Sequence, residues 1–200
     1  MAPPDRTAPP ASAAAIALRR ARRDDVPAID AMHALSVRAL GATDYTAAEI
    51  DAFLHSLGTY DPALIDDGSY FVLEHAGRVV ASGGWSQRAP HAALPEAGAG
   101  RASARAFSLS PDSAMIRSVF VHPDYARLGL GSRVVRHAEA AAAAAGHRLL
   151  ELWSTRTGVP LYRRLGYQDI APIVIPCANG SGVPALHMAR LVPTASATAA

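Results

Sequence analysis

Residues 115–133 read MIRSVFVHPDYARLGLGSR, and this passage from a β-branched strand through a glycine-bearing turn into a helix decides the fold. Ile116, Val119 and Val121 favour an extended chain, and Pro123 stops it because proline has no N–H for a strand ladder. Gly129 and Gly131 then let the backbone approach a ligand with no Cβ atoms in the way. The pattern predicts a helix from about Ser132 to Ala145, ended by Gly146. Free N–H groups of a first helical turn and the positive end of the helix dipole converge on such a turn, which suits a pyrophosphate. A dinucleotide fingerprint would need a third glycine at Val134, and a P-loop would need a lysine, which the chain lacks. A tight connection without a ligand is the plain alternative.

On the N-terminal side, IALRRAR (16–22) alternates apolar with charged residues as a half-buried strand does, and Asp24 or Asp25 offers an N-cap. Two helices are predicted next, Val26 to Leu40 and Thr46 to Leu57, the second opened by Thr46 and Glu49 in capping-box register. YFVLE (70–74) and RVVASGGW (78–85) flank His75, Ala76 and Gly77 as a short hairpin. Residues 88–113 carry little periodicity, and the expectation is a mobile loop on the substrate side. On the C-terminal side, LLELW (149–153) reads as a strand, Val159 to Leu165 as a short helix ended by Gly166, and YQDIAPIVI and PALHMARL as closing strands. Strands interleaved with helices make one α/β domain over 16–192, with a disordered leader (1–15) and tail (193–200).

Composition narrows the function. Half of the 200 residues are hydrophobic, yet no apolar run approaches the roughly 20 residues that span a bilayer, and the leader lacks a secretory pattern. A soluble, cytoplasmic protein is the expectation, with no membrane partner. One cysteine, Cys177, excludes an internal disulfide and a multi-cysteine metal cluster, so no metal is expected, and IVIPCAN marks a buried thiol. The net charge of +2 rests on 19 arginines, scattered except for RRARR at 19–23. No aromatic residues interleave with them, so nucleic acid is not an expected partner.

VHPDYARLGLG, SVFV and PLYRRLGY together resemble the GNAT superfamily of N-acetyltransferases, and YTAAEI, GGWS and the loop before IRSVFV are similar to a bacterial group of it. The signature is Gln or Arg, two variable residues, Gly, one variable residue, then Gly or Ala; both glycines match, and Ala126 departs at the first position. The resemblance implies a mixed central sheet of about six or seven strands flanked by about four helices. It implies acetyl-CoA as acyl donor, held by Arg127, Leu128, Gly129, Leu130, Gly131 and Ser132 at the turn and by Val119, Phe120 and Val121 on the fourth strand. Val119 and Val121 would serve through backbone groups. Thr155 stands where the family often has an Asn contacting the cofactor, and Tyr162 matches the tyrosine beside the CoA sulfur. A small-molecule or peptide amine would be the acceptor, and a homodimer is left open. A non-catalytic acyl-CoA sensor is the alternative.

Acetyl transfer needs a neutral amine, donors for the developing oxyanion and an acid for the departing thiolate. A phenol with a pKa of ~10 stays protonated at neutral pH, so Tyr162 is the candidate acid. No carboxylate occurs in MIRSVFV, and some family members carry a glutamate base where Met115 stands. Asp44 and Glu49 border the acceptor side by resemblance, His122 is expected to order the turn, and Trp85 and Trp153 are expected to pack the core, Trp85 being the better placed of the two to edge the acceptor pocket.

Overall fold

The computed structural model describes residues 16–56, 62–88, 113–177 and 181–193. The expected leader, nearly all of the expected loop and most of the tail lie outside the described residues. One seven-stranded mixed sheet runs in the order β1-β2-β3-β4-β5-β7-β6. Its strands are β1 (Ala17–Arg20), β2 (Tyr70–His75), β3 (Arg78–Ser86), β4 (Ser113–Val121), β5 (Leu149–Thr155), β6 (Gln168–Pro176) and β7 (Gly182–Leu191). All neighbours are antiparallel except β4 and β5. The helices are α1 (Val26–Gly41), α2 (Ala47–Ser56), α3 (Ala63–Asp66), α4 (Leu130–Ala144) and α5 (Val159–Arg164). The short α3 has no counterpart in the sequence reading.

Each face of the sheet has its own helical cover. Leu130, Val134, Val135, Ala138 and Ala142 recur along one side of α4 and are buried against the sheet. Val134 and Val135 are wholly buried, and each such side chain stabilises the fold by roughly 1.5–3 kcal/mol. Across the sheet, α1 seats Ile29 and Met32 with Tyr70 and Val72, and Ala52 on α2 packs with Val183 and the buried Cys177. The capping box of α2 forms as its spacing requires: Glu49 Oε2 accepts from Thr46 N–H and Thr46 Oγ1, both at 2.8 Å.

Asp25 stands at the N-cap of α1 but does not cap it. Its carboxylate accepts from Arg22 N–H and from both terminal guanidinium nitrogens of Arg19, whose other partner is Glu74. A bidentate charge-assisted pair outcompetes a neutral amide, and Arg19 holds the Asp25 carboxyl below its ordinary pKa. Arg23 pairs with Asp66, so two arginines of the basic cluster are already matched within the fold.

Candidate active site

The sheet is paired on both outer sides of its middle and open within it. β4 pairs with β3 out to Val121, and β5 pairs with β7 out to Thr155. Between themselves, β4 and β5 pair only from Ser113↔Leu149 to Met115↔Glu151. Beyond Met115 the two parallel strands diverge into a wedge. A β-bulge accompanies the divergence: Ser118 and Val119 both stand opposite Gly83, and Ser118 has φ 52°. Bulges bend their strand and increase its twist.

The wedge exposes backbone groups. His122 N–H donates to Val80 O on the β3 side, and successive strand residues direct their groups alternately. The N–H and C=O of Val119 and Val121 therefore face the β5 side, where no strand among the described residues meets them.

At the mouth of the wedge, the turn after β4 feeds α4. Arg127 and Gly129 both occupy the left-handed region, with φ 65° and 79°. Gly129 is the N-cap and no side chain caps the helix, so the N–H groups of Leu130, Gly131 and Ser132 have no intrahelical partner. Arg127 and Leu128 are exposed beside them, while Leu130 and Gly131 are buried. The helix starts at Leu130, two residues before the position expected from sequence, because the left-handed Gly129 closes the turn early. His122 orders this turn as expected: its Nδ1 accepts from Asp124 N–H at 3.2 Å. Burial lowers its pKa, so the ring accepts as a neutral imidazole.

A cavity of about 170 Å³ runs from the wedge to the face covered by α1 and α2. Val119, Phe120, Val121 and Thr155 line one end, with Gly158 and Leu161 at the start of α5. Leu40, Tyr45, Ile50 and Phe53 form the other end, and Glu49 is the single charged side chain of the lining among the described residues. Tyr45 locks the two ends together, since its hydroxyl donates to Pro184 O and accepts from Arg156 N–H, both at 2.7 Å. Asp44 is spent on the same junction, taking the Thr157 hydroxyl at 2.6 Å.

Tyr162 lies one residue past Leu161, behind the cavity wall. It retains 8% of its surface exposed, packs edge-on to Tyr167 at 5.6 Å, and has its pKa raised by burial, so its phenol is protonated throughout the physiological range. Trp85 packs the core as expected and does not edge the cavity: it is paired with Ile116 and packs with it beneath α4, on the other face of the sheet. Gly131 also differs from expectation. A Cβ there would meet Leu161 Cδ2 at 3.1 Å, so the missing side chain serves the contact between α4 and α5 as well as any ligand.

Sequence reasoning did not single out Tyr45, Phe53, Thr157 or Leu161. Leu161 was within reach as the neighbour of Tyr162 in PLYRRLGY, but Tyr45 and Phe53 join the site only through tertiary packing of α2 on β7. A second cluster was also missed, where Tyr70, His33 and Ser82 meet under the bulge. No group of three His, Cys, Asp or Glu among the described residues could hold a metal, and no described helix is long and apolar enough to cross a membrane.

Residues 66–169, just over half of the chain, match the family described as an Acetyltransferase (GNAT) domain. No curated protein sequence matches significantly. Among solved structures, a GCN5-related N-acetyltransferase from Rhodopseudomonas palustris superimposes with a TM-score of 0.66 at 19% identity, covering 88% of this chain and 95% of that one. The polyamine N-acetyltransferase of Drosophila melanogaster gives 0.62 at 18% identity, covering 88% and 100%. The PaiA N-acetyltransferase of Thermoplasma acidophilum, solved with coenzyme A, gives 0.61 at 12% identity, covering 88% and 99%.

Proposed function

The chain belongs to the GNAT acetyltransferase family, and from that premise we propose that it transfers the acetyl group of acetyl-CoA directly to an amine of a small molecule or peptide. The observation that carries this reading is the alignment of the open β4–β5 wedge with the uncapped first turn of α4. The residues fit the donor. First-turn N–H groups of Leu130, Gly131 and Ser132 suit its pyrophosphate, and the exposed strand groups of Val119 and Val121 suit an amide-bearing arm. Acetyl-CoA supplies an activated thioester carbonyl.

In this reading the amine enters from the cavity side and its lone pair forms the C–N bond at the carbonyl carbon. A β4 amide donates to the carbonyl oxygen as negative charge builds there, the kind of preorganised contact that removing one donor costs ~10²–10³ in rate. The C–S bond breaks, the thiolate takes the Tyr162 proton, and the proton lost by the amine returns through solvent to the Tyr162 oxygen. Burial keeps the phenol protonated at working pH, so the proton is there to be given. Two measurements test the proposal: the melting temperature with millimolar acetyl-CoA, and thiol release across a panel of amines. A folded sample showing neither a shift nor release overturns it; a shift without release from any amine favours a binding module.

A further inference from the structure

The cavity wall and its one charge point to the kind of amine that fits. We infer that the acceptor is a monoamine on an apolar body, attracted as its ammonium by Glu49 and neutral when it meets the carbonyl at the β4 end, its body lying against Leu40, Ile50 and Phe53; the inference rests on the acetyl-transfer reading above.

Three features of the cavity carry this. Leu40, Ile50, Phe53, Val119 and Phe120 give it a predominantly apolar lining, and Ser36, Tyr45, Thr155 and Thr157 are its polar side chains besides Glu49. Its volume of about 170 Å³ is comparable to an engineered apolar cavity of ~150 Å³ that takes benzene, and the donor takes the Val119–Val121 end, so the acceptor's body is at most about a six-carbon ring or chain. Glu49 remains ionised, its pKa lowered by the Thr46 N–H and hydroxyl.

The same features exclude other amines. A polyamine would place further ammonium groups against apolar walls with no second carboxylate among the described lining residues to meet them, and an unpaired charge there is costly. An amino acid would bring its own carboxylate into a cavity that has Glu49 and, among the described residues, no basic side chain in its lining. Arg156 stands nearby, but it is held over the Tyr45 ring and at the Asp44 carbonyl.

Glu49 also caps α2, and the substitution Glu49→Gln separates the two roles, because an amide oxygen can still accept from Thr46 while the charge is gone. The experiment measures CoA release from acetyl-CoA with propylamine through hexylamine, 2-phenylethylamine, spermidine and alanine, on wild type and Glu49→Gln. Expected is a rise in kcat/KM of about fourfold per methylene along the alkyl series, the increment for burying one CH₂. Hexylamine and 2-phenylethylamine should exceed spermidine and alanine by about tenfold or more, on the scale of hydrophobic-pocket discrimination. Glu49→Gln should raise KM for hexylamine by about two- to fivefold, the scale of a solvent-exposed ion pair, while leaving KM for acetyl-CoA near wild type. Preference for spermidine or alanine, a flat alkyl series, or an unchanged hexylamine KM in the variant overturns the inference. So does faster turnover with hexanoyl-CoA than acetyl-CoA, which would assign the cavity to the acyl chain. If no amine releases CoA, hexylamine is titrated by calorimetry with CoA present. Binding that weakens in Glu49→Gln then upholds the cavity assignment while the transfer reading fails, and absence of binding overturns both.

Discussion

The hydroxyl of Tyr70 on β2 donates a 2.9 Å hydrogen bond to the carbonyl of Ser118, the residue at the β4 bulge with φ 52°. A carbonyl can only accept, so the one phenolic proton goes there, and the Tyr70 oxygen lies 3.0 Å from Ser82 Oγ and 3.2 Å from His33 Nε2. All three side chains are wholly buried, and Phe120 stacks on His33 at 4.1 Å. A left-handed backbone at a residue other than glycine costs of order 1–3 kcal/mol and persists where its surroundings hold it. These groups are the surroundings that hold the bulge, and with it the backbone of Val119.

Tyr70→Phe should therefore lower both stability and turnover. Losing the hydroxyl takes the phenolic donor from a part-buried carbonyl, a cost of about 1–3 kcal/mol. A loosened bulge misaims the Val119 amide, so kcat is expected to fall more than acetyl-CoA affinity. Thermal unfolding and steady-state kinetics on one preparation check both parts; a destabilised variant with wild-type kcat would confine the network to stability.

His33 gives the fold a pH dependence of known sign. Burial lowers its pKa to about 3, against an ordinary value of 6.5. Above the unfolded value both states are neutral and nothing is lost. As pH falls from about 6.5 towards 3, the unfolded chain takes a proton that the folded one refuses, and stability drops by about 1.4 kcal/mol per pH unit for this group. His122 and His137, also lowered first by burial, act in the same direction. Melting temperatures between pH 7.5 and 4.5 should fall more steeply for wild type than for His33→Gln; parallel curves would remove His33 as a source.

Gly129 and Gly131 should respond differently. At Gly129 there is open space for a Cβ but φ is 79°, so Gly129→Ala is expected to cost about 1–2 kcal/mol in backbone strain. At Gly131 the conformation is ordinary helix and the obstacle is Leu161 Cδ2 at 3.1 Å, with Val121 Cγ2 at 3.6 Å. Gly131→Val should cost about 1–3 kcal/mol from overpacking and remove the melting shift given by acetyl-CoA. Unchanged acetyl-CoA affinity in Gly131→Val would reduce the turn to a connector.

What the sequence made legible was local. The strand, turn and helix around Gly129 announce themselves within 20 or so residues because their causes, β-branching, a proline and two glycines, sit in the segment itself. The Thr46–Glu49 box is legible for the same reason. The bulge at Ser118 is not, because its causes are Gly83 opposite and Tyr70 beneath, 48 residues away in sequence. Asp25 misled because a long-range arginine, itself anchored to Glu74, outbid the local amide. For the cavity, Ile50 and Phe53 read simply as the apolar side of a helix, and only the docking of α2 on β7 turns them into a wall.

Tyr162 is the residue on which the mechanism depends most. The position in PLYRRLGY puts it at the wedge by resemblance, and in the structure it stands behind Leu161 with its phenol neutral and most of its surface buried. Tyr162→Phe keeps the ring that packs on Tyr167 and removes the hydroxyl alone. If the hydroxyl delivers the proton to the departing thiolate, turnover should fall by about 10²-fold or more, the scale of positioned proton transfer, while acetyl-CoA affinity changes little. If the residue serves only the core, both stay near wild type. If the hydroxyl serves only to hold the donor, affinity falls and saturating acetyl-CoA restores the rate. Turnover at saturation and acetyl-CoA affinity, measured on the same variant, separate the three, and a near-normal saturated rate would leave the departing thiolate to take its proton from solvent.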